Sequence, residues 1–314
     1  MTLAIDHPYF VLGDSTVSGS TRPPFPPKPT TANFDGRLEL RRAEFERYKQ
    51  ENKEKLANFR DLKKKYPELI FLSEAFTRLN IMYRLAKLGF TQSYTYFTWR
   101  NSKKELTEYL TELTQTEVRE YLRPNLWPNT PDILHESLQR GGRPAFMARL
   151  VLAATLGSNY GIYGPAYELC ENAAREEGSE EYLNSEKYEI KRRKLHDPGT
   201  LRPFISRVNA IRKENAALQS NVSLRFHATG NEQLIAYSKQ TADKKNVIVS
   251  VVSLDPVWKQ AGFLELPLEE LGIDARRPYR VTDLLTGATF TWHGARNYVE
   301  LRPNEVPAHI LRME

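Results

Sequence analysis

Ile70-Phe71-Leu72-Ser73-Glu74-Ala75-Phe76-Thr77-Arg78 joins an apolar run, begun at Leu69, to a segment of helical character and sets one carboxylate at the junction. Consecutive apolar residues from Leu69 to Leu72 make the pattern of a strand buried on both faces, as in parallel sheets covered by helices. In such sheets reacting groups gather at the C-terminal ends of strands. Glu74, followed by Ala75 and Phe76, has surroundings that penalise its charged form and suit it to general-acid duty. The same residues also read as a simple ion pair between Glu74 and Arg78, and the stretch alone leaves both readings open.

Upstream, Leu40, Phe45, Tyr48, Leu56, Phe59 and Leu62 recur at near-helical spacing until Pro67, which predicts a long amphipathic helix from Arg37 to Tyr66. Residues 1–36 lack sustained periodicity and include Pro23-Pro24-Phe25-Pro26-Pro27-Lys28-Pro29, the composition of a flexible, extended arm. Downstream, helix and strand signals alternate. A helix over Ile81 to Leu88 ends at Gly89, and Thr91 to Trp99 has the β-branched and aromatic content of a strand with its loop. Then come a helix over Lys103 to Leu113, a short strand within Tyr121 to Trp127, and a helix over Ala145 to Leu156. This alternation predicts a parallel α/β domain, a barrel rather than an open sheet because no phosphate-cradling glycine-rich loop occurs.

A helix over Phe204 to Leu218 closes that region, and the character of the chain then changes. Val222 to Phe226, Gln233 to Tyr237, Val247 to Val252, Tyr279 to Val281, Thr289 to Thr291 and Val299 to Leu301 are short strands separated by turn residues. They predict an antiparallel β-sandwich. The predicted divisions are an arm over 1–36, half of a barrel over 37–219 and a sandwich over 220–314.

Composition narrows the function. The 314 residues are 40% hydrophobic, enough for a sizeable core, and 45 Lys and Arg against 39 Asp and Glu leave a net charge of only +6. That balance and the lack of a recognition motif argue against nucleic acid. Runs such as Lys63-Lys64-Lys65 and Lys191-Arg192-Arg193-Lys194 read as solvated helix faces. Cys170 is the single cysteine, which excludes an intrachain disulfide framework and fits a reducing cytoplasm. No signal peptide and no membrane-length apolar run is visible. His135 and His196 have no partner at ligand spacing, so neither a metal site nor a cofactor is expected.

Leu72-Ser73-Glu74-Ala75-Phe76-Thr77-Arg78, Tyr83 through Asn101 (YRLAKLGFTQSYTYFTWRN) and Asn129-Thr130-Pro131-Asp132-Ile133-Leu134 resemble the maltose-1-phosphate maltosyltransferases of the α-amylase superfamily. So do Arg143-Pro144-Ala145-Phe146, Tyr160-Gly161-Ile162-Tyr163 and Asn184-Ser185-Glu186-Lys187-Tyr188-Glu189. The resemblance runs from about residue 66 to the C-terminus. It implies the second half of a (β/α)8 barrel followed by a sandwich, and transfer of maltosyl units from maltose 1-phosphate to the end of an α-1,4-glucan. It also implies a homodimer.

The same resemblance makes Glu74 the general acid/base at the end of the fifth barrel strand and Asp132 the transition-state carboxylate after the seventh. Their separation of 58 positions accommodates two strand-helix units, so both are expected to face one cleft. Without the resemblance Asp132 would read as the N-cap of a helix starting at Ile133. Lys187 and Tyr188 resemble contacts to the donor phosphate, and otherwise would sit on a solvated helix edge. Tyr94, Tyr96, Phe97 and Trp99 offer flat surfaces to sugar rings, or simply core.

One departure stands out. The family's nucleophile is an Asp in an Arg-x-Asp-Asn-Pro-His motif some thirty residues before the acid/base, and no such motif occurs in these 314 residues. A retaining mechanism needs two carboxyl groups roughly 5–5.5 Å apart. The sequence therefore reads as a truncated member, inactive alone and completed by an N-terminal barrel portion in trans, with a non-catalytic glucan-binding module as the alternative.

Overall fold

The computed structural model describes Leu3–Ala4, Gln50 and residues 61–76, 79–194 and 197–314. The predicted arm, apart from Leu3–Ala4, and most of the predicted helix over 37–66 lie outside these. Gln50 and residues 61–65 are helical. The chain divides into two compact units, Met1–Ser93 and Tyr94–Glu314.

In the first unit strand β1 (Leu3–Ala4) runs parallel to β2 (Leu72–Glu74), with Ala4 opposite Glu74. On the other side of β2, Leu72 and Ser73 pair in parallel with Gln92 and Ser93 of β3 (Gln92–Tyr94). The strand is shorter than the apolar run predicts. Leu69 and Ile70 are exposed, Ile70 to 66%, and pairing begins only where Thr91 N–H donates to Phe71 O at 2.9 Å. Helix α1 (Leu79–Lys87) buries Met82, Leu85 and Ala86, and Gly89, at φ 107, ends it in a conformation that favours glycine. Ala75, Leu85 and Phe90 form the local core, with Phe71 and Ile81 packed against it.

The second unit opens with a 3₁₀ turn, Tyr96–Trp99, followed by α2 (Lys103–Gln115). A full capping box starts α2: Ser102 Oγ accepts from Glu105 N–H while Glu105 accepts from Ser102 N–H. A short helix α3 (Val118–Tyr121) leads to β4 (Pro124–Leu126), which pairs in parallel with β5 (Asn159–Tyr160). Between them runs α4 (Glu136–Leu156), broken at Gly142, whose φ of 54° only glycine adopts cheaply. Beyond the break, Ala145 to Leu156 is buried throughout, matching the predicted helix. The earlier turns entered the sequence reading only through the alternative of an Asp132 cap, because Gly141-Gly142-Arg143-Pro144 reads as a helix stop. Helix α5 (Gly164–Glu168) follows, and just beyond it half-buried Cys170 takes φ 52.

Helix α6 (Arg202–Glu214) leads into the antiparallel region. Strands β6 (Arg225–His227), β7 (Leu234–Gln240), β8 (Val247–Ser253), β10 (Tyr279–Asp283), β11 (Thr289–Trp292) and β13 (Ala308–Met313) form one six-stranded sheet in the order β11-β10-β13-β8-β7-β6. Strands β9 (Gln260–Glu265) and β12 (Arg296–Leu301) make a separate two-stranded ribbon. Leu234, Val249, Val281 and Leu311 of the sheet pack on Leu264, Val299 and Leu301 of the ribbon. Helix α4 lies against β8 and β13. Thr155 and Tyr237 hydroxyls meet at 2.6 Å, and Lys103 Nζ donates to Thr229 Oγ1 at 2.9 Å, so polar bonds stitch helices to sheet. A parallel α/β portion followed by antiparallel sheets is what the change of period near residue 220 predicts. Strands β9 and β13 were not predicted.

Candidate active site

Glu74 ends β2 in the first unit and is half-buried, beside fully buried Ala75. Arg78 lies outside the described residues.

In the second unit the site is built on the loop after β4. Asn129 and Thr130 are wholly buried, and Asp132 projects into solvent. Asn129 Oδ1 accepts from Tyr163 N–H at 2.9 Å and its amide donates to Tyr182 OH at 2.7 Å. Thr130 Oγ1 accepts from Asp132 N–H at 3.2 Å, and Thr130 bridges Ile133. These bonds leave the loop one shape and push the Asp132 carboxylate outward. Asp132 is not a helix cap. That position belongs to His135, whose ring accepts from Ser137 N–H, so α4 begins three residues later than an Asp132 cap requires. Burial lowers the His135 pKa, which keeps the ring an acceptor there.

Lys187 Nζ lies 3.0 Å from Asp132 Oδ1, both side chains about half exposed. The structure thus brings together two predicted residues 55 positions apart. The hydrogen bond to Asp132 raises the Lys187 pKa, so the ammonium is held charged. Tyr188 is exposed, and the Lys187 ammonium sits 5.7 Å from its ring centre. Both residues lie in turns rather than on a helix edge.

The aromatic candidates divide. Tyr94 stacks on Trp127 at 4.8 Å, and Tyr96 and Trp99 make a tilted pair at 5.7 Å. Trp99 Nε1–H donates to Glu180 at 2.9 Å. Phe97 is fully buried, covered by the Arg149 guanidinium 3.9 Å from its ring centre. Arg149 donates to the carbonyls of Phe97 and Arg100, at 2.6 and 2.8 Å, and so fixes the 3₁₀ turn. Burial draws the Arg149 pKa down to about 10.

Sequence reading missed the group that holds the Lys187 turn. Arg193, expected on a solvated helix face, has a side chain only 7% exposed and stands in a segment without regular structure. It donates to Glu171 through Nε at 2.7 Å and to Glu186 through Nη1 at 2.8 Å. Glu186 in turn accepts from the Tyr163 hydroxyl. Hydrogen bonding to Glu171 raises the Arg193 pKa, and hydrogen bonding to Arg193 lowers that of Glu186. No local pattern distinguishes Arg193 from Arg192, because its partners are 22 and 7 positions away.

Among the described residues no group of three or more His, Cys, Asp or Glu could hold a metal ion. No described helix is long and apolar enough to cross a membrane.

A family model described as "GLGE, C-terminal" matches residues 226–313. The alpha-1,4-glucan:maltose-1-phosphate maltosyltransferase of Chlorobaculum tepidum is 56% identical over 258 residues, covering 80% of this chain and 38% of that protein. Maltosyltransferase 1 of Streptomyces coelicolor is 52% identical over 248 residues, covering 78% and 36%. Among solved structures, an Anoxybacillus alpha-amylase aligns with TM-score 0.61 at 11% identity, over 82% of this chain and 55% of that one. The Geobacillus thermoleovorans alpha-amylase aligns with TM-score 0.58 at 12% identity, over 82% and 56%. At such identities these two likenesses speak for the fold alone, a parallel α/β region followed by a β domain. Over four-fifths of its length the chain is a homologue of the alpha-1,4-glucan:maltose-1-phosphate maltosyltransferases, and it spans less than two-fifths of the length of these relatives.

Proposed function

We propose that the chain is the C-terminal portion of a retaining maltosyltransferase, comprising the second half of a (β/α)8 barrel over 37–219 and a β-sandwich over 220–314. It acts when a segment bearing the first barrel half and the nucleophilic Asp completes it, in one polypeptide or in trans, with dimerisation expected as well. Maltose 1-phosphate is the donor and the end of an α-1,4-glucan the acceptor. The observation that carries the reading is the Lys187–Asp132 pair at the loop after β4: a cation for a leaving phosphate beside a carboxylate for a developing sugar cation.

In the first step the supplied Asp attacks C1 of the donor, the C1–O bond to phosphate breaks, and Glu74 gives its proton to the departing phosphate. Lys187, helped by Tyr188, holds the phosphate dianion, and Asp132 stabilises positive charge at C1. In the second step Glu74 removes the proton of the acceptor 4-hydroxyl as that oxygen displaces the Asp. Tyr94, Tyr96 and Trp99 are proposed as flanking sugar surfaces. Glu74 cannot also serve as nucleophile, because it must be protonated for the departure while a nucleophile must be ionised. Acid/base help alone is worth ~10²–10⁴ in rate, against ~10⁶ or more for an enzyme.

The test is phosphate release from maltose 1-phosphate with a glucan acceptor. The 314-residue chain alone is expected to show none. Adding a separately expressed N-terminal portion with the Asp motif should restore turnover that Glu74→Gln or Asp132→Asn abolishes. Turnover by the lone chain would overturn the reading of what it lacks.

A further inference from the structure

The 182–193 segment bears Lys187 and Tyr188 on turns with no helix or strand to stiffen them. Two bonds bring its distal end back onto the body of the unit. Arg193 grips Glu171 with Nε at 2.7 Å and Nη2 at 3.2 Å, a two-pronged contact that a guanidinium makes and an ammonium does not. Its Nη1 takes Glu186, the residue next to Lys187, at 2.8 Å. From Glu186 the connection continues through the Tyr163 hydroxyl, and from Tyr163 N–H to Asn129 Oδ1, in the same loop that ends at Asp132. Lys191 adds a weaker tie, 3.4 Å to Glu171 and 3.0 Å to Leu183 O. One buried guanidinium thus fixes the turn that carries the ammonium and, through Tyr163 and Asn129, the loop that carries its carboxylate.

We infer that Arg193 is the positioning residue of the donor-phosphate site, setting the Lys187 ammonium against Asp132 without touching the donor. The inference rests on the proposed donor role of Lys187. It is separable from that role because it concerns geometry present without ligand. Arg193 acts through its fork rather than its charge, since both ends of the fork are occupied by carboxylates and little net positive charge is left to attract an anion.

Two readouts on the full chain test it. The first needs no ligand: the rate at which acetic anhydride acetylates Lys187, followed by mass spectrometry. In the wild type the pair with Asp132 keeps the amine protonated and slow. Arg193→Gln and Arg193→Lys are both expected to speed labelling several-fold, while Lys103, whose Nζ is held by Thr229 Oγ1 and Asn231 O within the same unit, keeps its rate as the internal reference for folding. The second is affinity for maltose 1-phosphate, with inorganic phosphate as competitor. Arg193→Lys should weaken binding about tenfold, as a lost charge-assisted fork predicts, and Glu186→Gln should do the same with Arg193 intact. Unchanged Lys187 labelling in both Arg193 variants, or an Arg193→Lys chain that binds like the wild type, overturns the positioning role. A Lys187→Gln chain that binds as tightly as the wild type instead overturns the donor-site reading and leaves the labelling result to decide the geometry.

Discussion

Lys239, next to the last residue of β7, is 1% exposed, and its ammonium reaches Asn221 Oδ1 at 3.2 Å rather than a carboxylate. Burial, with the nearby charge of Arg212 adding to it, depresses its pKa well below the ordinary lysine value. The unfolded chain therefore holds a proton here over a pH range in which the folded chain does not, and stability rises with pH across that range. Lys239→Met, similar in length and apolar, is expected to stabilise the protein by about 1–4 kcal/mol at pH 7. The gain in Tm should shrink as the pH approaches 10.5; a gain constant from pH 7 to 10 would show that the amine is not desolvated. At this scale the sequence singled out Glu74, Asp132, Lys187 and Tyr188 as candidates because each sits in a contiguous motif. Arg193 and Lys239 stayed hidden because burial of a cation depends on partners or cover brought from other segments.

Gly161 follows β5 at a point where a Cβ would lie 2.3 Å from the Trp127 ring. Trp127 in turn carries the Tyr94 ring at 4.8 Å. Gly161→Ala is expected to displace the indole, cost about 1–3 kcal/mol as overpacking does, and change the near-ultraviolet circular dichroism of the Tyr94–Trp127 stack. An unchanged spectrum with unchanged Tm would mean that the strand yields instead of the ring. Elements with a sustained apolar pattern, α1, α2 and the buried half of α4, were legible to within a few residues. The strand at Glu74 was placed but drawn too long, because four apolar residues in a row say nothing of where pairing starts. Strand β9 reads Gln-Ala-Gly-Phe-Leu-Glu, with alternation too weak to register, and its ribbon with β12 depends on a partner more than thirty positions away.

Within residues 94–314 the β region and the helices share one seam. Thr155 meets Tyr237, Lys103 reaches Thr229, Gln115 donates to Leu224 O, and Arg207 to Leu284 O. Arg212 donates to the carbonyls of Gly157 and Ser158 at 3.1 and 2.7 Å, closing the C-terminal end of α4 beside the sheet. So many polar bonds across buried apolar surface predict that these residues unfold in one cooperative step, with slow-exchanging amides of α4 and β8 opening at the same denaturant concentration. Separate openings would show the seam to be a contact between independent domains. The order of a parallel region before an antiparallel one was legible from the change in hydrophobic period. The seam was not, because its residues are ordinary in sequence and meet only in the folded chain.

Cys170 stands one peptide bond before Glu171, the carboxylate that Arg193 grips, and it is the chain's single thiol. The protein therefore carries its own attachment point for a spectroscopic tag, with no cysteine to remove and none to add. Burial raises the thiol pKa, so coupling calls for mildly alkaline buffer. A spin label or small dye fixed there would turn any loosening of the Lys187 turn into a change of linewidth or emission. The molecule could then be watched as maltose 1-phosphate, the proposed donor, or a separately expressed N-terminal portion is added.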